Sequence, residues 1–214
     1  MEDTTTKEKI LKKIRNAIIY KSENPFPNED FEKNIYNEPA DDIQVAFASA
    51  FTKVGGKFIF CTDEKEAMIK LKSLVQEQNL TNICAFDKEI QEFLNIANIP
   101  YINDIKLLKQ IKVGITFCEY LISRFGSIVI SSKLKSGRRM PAFSETHIVI
   151  AFTSQIVLSI KDALNEIIKK YGKQMPSMIS VITGPSRTAD IEKTLVMGAH
   201  GPRELYVFLI NDSI

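Results

Sequence analysis

Lys57-Phe58-Ile59-Phe60-Cys61-Thr62-Asp63-Glu64 is the stretch at which the hydrophobic period of the chain changes. From there on, short apolar runs at 57–62, 82–86 and 111–115 alternate with helical patterns at 63–78, 87–97 and 116–124. That alternation is the rhythm of parallel βαβ units. Thr62-Asp63-Glu64 offers a capping hydroxyl and first-turn carboxylates to a helix carrying Ala67, Met68, Leu71, Leu74 and Val75, so the local signals agree in register. Further along, strands are expected at 127–132, 147–152, 178–183 and 205–210, with helices at 158–171 and 188–197. The expected fold is α/β, a mixed, mostly parallel sheet with helices on both faces.

Towards the amino terminus, Ile43, Val45, Phe47, Ala50, Phe51 and Val54 mark a helix over 41–54, closed by Gly55-Gly56. Residues 5–21 place Ile10, Leu11, Ile14, Ile18 and Ile19 on one helical stripe, with the lysines and Arg15 largely off it. Such a helix needs a surface to cover, in its own chain or in a neighbour, and a homo-oligomer through it is one expectation. Asn24-Pro25-Phe26-Pro27-Asn28 then breaks regular structure. The organisation read from this pattern is a helix and extended arm over 1–40, followed by an α/β domain over 41–214.

Composition narrows the function. In 214 residues, 28 basic and 26 acidic side chains leave a net charge of +2, which cannot build the single-sign field used to hold nucleic acid or an anionic membrane. Any anion site must be local. Cys61, Cys84 and Cys118 are odd in number and far apart, and each lies in or beside an apolar run, which predicts buried reduced thiols. With no Cys-x-x-Cys pair and only His147 and His200, the chain lacks the ligand spacing of a zinc site or an iron–sulfur cluster. Met1-Glu2-Asp3-Thr4 is polar and acidic, and no run of about 18 apolar residues is present to span a bilayer, so a cytoplasmic protein is expected.

The segment richest in chemistry is Val181-Ile182-Thr183-Gly184-Pro185-Ser186-Arg187-Thr188-Ala189-Asp190-Ile191-Glu192. Read as a strand that breaks at Gly-Pro and restarts as a helix, it has two interpretations. Free amides at the helix start, the hydroxyls of Ser186 and Thr188 and the guanidinium of Arg187 could hold a carboxylate or phosphate, with Gly184 allowing close approach. Alternatively, Ser186 or Thr188 caps the helix, Asp190 complements its dipole and Arg187 pairs with a nearby acid. Asp190 and Glu192 would repel an anion unless one handles a proton or is neutralised. His200, in Gly198-Ala199-His200-Gly201-Pro202-Arg203, is either a turn-stabilising residue or an acid–base group, and His147 reads as a hydrogen-bonded residue at a sheet margin. Lys133-Leu134-Lys135-Ser136-Gly137-Arg138-Arg139 places four cations within seven positions. It is a solvated surface unless it folds over the 184–188 loop, where Arg138 and Arg139 could receive an anion or an acidic partner. The glycine signatures of α/β-hydrolases, dinucleotide-binding folds and P-loop nucleotide triphosphatases are missing.

Thr183 to Glu192, then Gly198 and His200-Gly201-Pro202, closely resemble the signature of the LutC/YkgG lactate-utilisation family, and weaker similarity covers roughly residues 110 to 210. The resemblance implies a fold like that of the ribose-phosphate isomerase and CoA-transferase superfamily. It also implies a role beside iron–sulfur partner proteins in oxidising L-lactate to pyruvate, with any cluster in those partners and no cofactor in this chain. On that reading Gly184, Ser186, Arg187, Thr188, Arg138 and Arg139 hold a small carboxylate or a phosphate-bearing metabolite, and His200, Glu192 and Asp190 are the candidate proton-handling groups. Two departures stand out. Ser123-Arg124-Phe125-Gly126-Ser127 puts a cation where the family typically has the glutamate of Ala-Glu-Thr-Gly-Thr, and the basic loop replaces a glycine-rich segment. Two other functions remain open at this level: a stand-alone enzyme acting on a phosphorylated or CoA-linked metabolite, and a non-catalytic interaction or regulatory subunit.

Overall fold

Phe47 and Phe51, four residues apart on one helical turn, are both fully buried, and the fold is built outward from the face they cover. The structure, a computed structural model, describes residues 5–19, 25–30, 42–136, 138–191, 194–198 and 200–212, and for 108, 109, 189–191 and 194–196 the backbone alone. Contacts divide the chain into two units, Met1–Glu38 and Pro39–Ile214. In the first, α1 (Thr6–Ile19) has no buried residue, and Ile10, Ile14, Ile18 and Ile19 are each half exposed or more. Residues 20 and 21 of the expected helix, and most of the expected arm, lie outside the described residues.

The second unit begins with α2 (Ile43–Lys53), capped by the Asp42 carboxylate on the Gln44 amide and terminated where Gly55 takes φ +91°. Then come β1 (Lys57–Cys61), α3 (Glu64–Glu77), β2 (Ile83–Cys84), α4 (Lys88–Ile96) and β3 (Val113–Phe117). After them lie β4 (Tyr120–Ile122), β5 (Ser127–Ser131), α5 (Met140–Phe143), β6 (Thr146–Phe152), β7 (Ile156–Val157) and α6 (Ile160–Tyr171). The chain closes with β8 (Ile179–Ile182), β9 (Arg187–Ile191), β10 (Thr194–Met197) and β11 (Glu204–Ile210).

Five strands pair in the order β1-β11-β6-β3-β2, every pair parallel. The interior strand β11 shows why its sequence is almost continuously apolar: Tyr206, Phe208 and Ile210 join one core cluster, and Leu205, Val207 and Leu209 join another on the opposite face. The first cluster is closed by Ala67 and Leu71 of α3 and by Ile90 and Leu94 of α4. Against the other face lie Phe47 and Phe51 of α2 together with Leu121, Ile128 and Ile130 of a second sheet. That sheet has four strands in the order β7-β4-β5-β8, and its far side is covered by Ala163 and Ile167 of α6. The layers therefore run helices, parallel sheet, mixed sheet, helix, with α2 sharing the inner core. Burying each of the large side chains involved contributes roughly 1.5–3 kcal/mol.

The mixed, mostly parallel α/β architecture with outer helices is the one expected, but three local readings are corrected. Residues 116–124 are not a helix: Thr116 and Phe117 end β3, and in β4 Leu121 faces the inner core and Ile122 faces α6, so consecutive residues are both apolar and the strand period disappears. Residues 188–197 are the antiparallel hairpin β9–β10, not a helix. Its β-branched Thr188, Ile191, Thr194 and Val196 favour extended backbone, and the four-residue spacing of Ile191 and Leu195 does not mark a helical face. Glu192 lies between the two strands, outside the described residues. At α3 the cap is the Asp63 carboxylate, which accepts from the Glu66 amide at 2.8 Å, while the Thr62 hydroxyl donates to Glu66. A charged acceptor makes the stronger cap.

Candidate functional site

Because 188–197 is a hairpin, the segment from Gly184 to Thr188 does not lie at a helix amino terminus, and the site has to be built from side chains and loops. The base of the hairpin is stitched by backbone bonds: Ser186 N–H donates to Pro202 O at 2.8 Å, and Gly198 N–H donates to Ser186 O at 3.0 Å. Both backbone groups of Ser186 are therefore occupied. The same bonds carry the loop at 200–202 alongside Gly184 and Ser186.

Together these loops close one side of a cleft of about 300 Å³. Ile130 of β5 and Ile182 of β8 give it an apolar wall, Pro141 and Ala142 of α5 close another side, and Ser186, His200 and Arg138 line its polar part. Of the residues singled out in the sequence, the cleft thus gathers Gly184, Ser186, His200 and Arg138. The Arg138 guanidinium donates to Ser177 Oγ, which fixes one of its nitrogens, and the residue also borders a neighbouring cleft of about 500 Å³. That second cleft holds Lys135 and Arg139 beside Asn103 and Asp104. Asp87, buried beneath the basic loop, is pushed upward by its burial, partly offset by a backbone hydrogen bond from Lys135 that ties the loop down.

Arg187 does not line this cleft. Its Nη2 donates at 2.8 Å to the carbonyl of Val54, the residue that caps the carboxyl end of α2. A guanidinium there satisfies a carbonyl left over by the helix and complements the negative end of its dipole. Gly184 meets the same carbonyl: at φ +80°, a Cβ on it would stand 2.4 Å from Val54 O. The close approach that requires glycine is thus to the end of α2. Thr188 sits within β9 opposite Val196. Asp190 also belongs to β9, and its side chain, like all of Glu192, lies outside the described residues.

Two buried polar groups elsewhere serve the fold. Glu119, which sequence reasoning passed over, accepts from Ser131 Oγ, Tyr171 OH and Lys170 Nζ at 2.5–2.8 Å. Burial pushes its carboxyl up, but these three donors outweigh it and hold the group below the usual range, locking α6 to the mixed sheet. A carboxylate inside the apolar run Cys118-Glu119-Tyr120-Leu121-Ile122 was the available signal. His147 is fully buried with Nε2 2.9 Å from Thr116 Oγ1. Cys61, Cys84 and Cys118 are buried free thiols, and burial pushes Cys61 and Cys84 up to about 11. Among the described residues, no group of three or more His, Cys, Asp or Glu side chains is placed to hold a metal ion. No helix among them is long and apolar enough to cross a membrane.

The layered sheets and the polar-mouthed cleft define an α/β domain of the two-sheet kind. The LUD domain model matches residues 45–210, and the chain belongs to that family. The match starts inside α2 and so reaches well beyond the signature segment. Among curated relatives, Lactate utilization protein C of Bacillus subtilis is 39% identical over 112 residues, 51% of this chain and 46% of that protein. YkgG of Escherichia coli is 34% identical over 111 residues, 51% of this chain and 48% of that protein. The chain thus spans about half the length of the curated relatives it matches. Among solved structures, a DUF162 family protein from Deinococcus radiodurans superposes with a TM-score of 0.56 at 17% identity, covering 78% of this chain and 96% of that one, a likeness of fold.

Proposed function

We propose that the chain is a component of a bacterial L-lactate utilisation system that holds a small carboxylate in the cleft formed by Arg138, Ser186 and His200. The observation that carries this reading is that Ser186 and His200, both in the segment that resembles the family signature, line one cleft together with Arg138 of the basic loop. Arg138 supplies a charge-assisted hydrogen bond to the carboxylate and the Ser186 hydroxyl a second donor. On this reading the His200 imidazole takes or returns the proton of the 2-hydroxyl group. The relatives named for lactate utilisation support the physiological setting. In this reading any iron–sulfur chemistry belongs to partner proteins, and the chain contributes binding and proton handling.

A second reading has one observation in its favour. The larger cleft brings Lys135, Arg138 and Arg139 together, which suits a phosphate or the phosphates of a CoA-linked metabolite. The two readings separate in a complementation experiment. Disruption of the gene should slow growth on L-lactate but not on glucose, and the wild-type chain should restore it while Arg138→Ala or Ser186→Ala should not. Normal growth on lactate without the gene would overturn the proposal.

A further inference from the structure

A third cavity, of about 400 Å³, has the opposite electrostatic character and owes nothing to the lactate reading. It opens between α3 and α4, where Phe117, Phe152 and Ile210 end three neighbouring parallel strands. The carboxyl ends of parallel strands are the favoured ligand position in open α/β sheets, and the volume is that of a small-molecule site. Its floor is aromatic: the Phe117 and Phe152 rings stack with centroids 6.4 Å apart, and Phe93 of α4 faces the same space. The charged residues lining it are Glu64 of α3 and Glu89 and Glu92 of α4, all acidic. Glu89 and Glu92 stand three apart, on one face of their helix. None of the three is in an ion pair with a described residue. They do not gather closely enough to chelate a metal.

We propose that this cavity is a second binding site, for a small molecule joining a flat apolar body to a positively charged amine. The stacked phenylalanines accept the apolar body, and the three exposed carboxylates at the rim attract the ammonium. An anion such as lactate is repelled by the same three charges. The site therefore differs in specificity from the cleft at Arg138.

Tryptamine, tryptophol and indole-3-acetate share one ring and differ in charge, and the chain contains no tryptophan, so the fluorescence of the indole reports the ligand. Titrated with the full chain, tryptamine should saturate, tryptophol should bind about tenfold more weakly, the value of one charge-assisted hydrogen bond, and indole-3-acetate should not bind. The surface double variant Glu89→Gln/Glu92→Gln should bring tryptamine down to the level of tryptophol while tryptophol binding is unchanged. Equal affinity for all three compounds, no saturable binding of tryptamine, or a double variant that keeps the tryptamine preference would each overturn the proposal.

Discussion

His147 is the residue whose environment departs furthest from what its place in the sequence suggested. Its place in the sequence suggests a hydrogen-bonded residue at a sheet margin; it is hydrogen-bonded, with the Thr116 hydroxyl as its one side-chain partner among the described residues, but it is fully buried at the second position of the central strand β6. Its Nδ1 has no hydrogen-bond partner among the described residues. A tautomer protonated on Nε2 leaves that orphan as a lone pair rather than a donor, so we assign Nε2–H to the bond with Thr116. Burial pushes the imidazole down to about 4 from its ordinary 6.5. The neutral ring is favoured in the folded state, so its contribution is complete above pH 6.5 and is lost as the pH falls towards 4, about 2–3 kcal/mol of it between pH 7 and pH 4.5. Urea denaturation of the wild type and His147→Gln should show the stability gap between them closing by that amount from pH 7 to pH 4.5. A gap independent of pH would show that the ring does not titrate in this way.

At the scale of elements, what the sequence revealed depended on how many faces a strand buries and on what it pairs with. The β1 run is legible because helical patterns flank it, and β11 because it is apolar on both faces, as a buried parallel strand must be. The strand β4 was not, because the spacing of Cys118, Leu121 and Ile122 coincides with that of a helical face while its two sides pack against different cores. The hairpin β9–β10 was missed for a related reason: its pairing is set by a neighbouring strand, with a register shift between Thr194 and Val196, and no single-strand period announces that. The site was legible in part. Gly184, Ser186, His200 and Arg138 converge, whereas Arg187 is drawn to the carboxyl end of α2, a contact 133 residues away in sequence. The junction of that helix with the signature loop can be tested through its glycine. Gly184→Ala would press Cβ against Val54 O and add the left-handed backbone penalty, and should cost more than about 2 kcal/mol in denaturant unfolding. A cost of only about 1 kcal/mol, that of the left-handed backbone alone, would mean that the loop and helix end are not in the contact described.

For the molecule as a whole, the parallel sheet divides the charge chemistry. Beside the mixed sheet lies a cleft with a guanidinium, a hydroxyl and an imidazole, and at the carboxyl ends of β3, β6 and β11 lies an aromatic cavity edged with carboxylates. A net charge near zero conceals this separation, which is why composition could not locate a small-molecule site. The central claim is that the first of these clefts receives a small carboxylate through Arg138. Titration calorimetry of the intact chain with L-lactate and pyruvate tests it most directly. Saturable binding should weaken by one or two kcal/mol, about five- to thirtyfold, in Arg138→Ala and stay unchanged in Arg187→Ala. Affinity indifferent to Arg138, or no saturable heat with either compound, would contradict it.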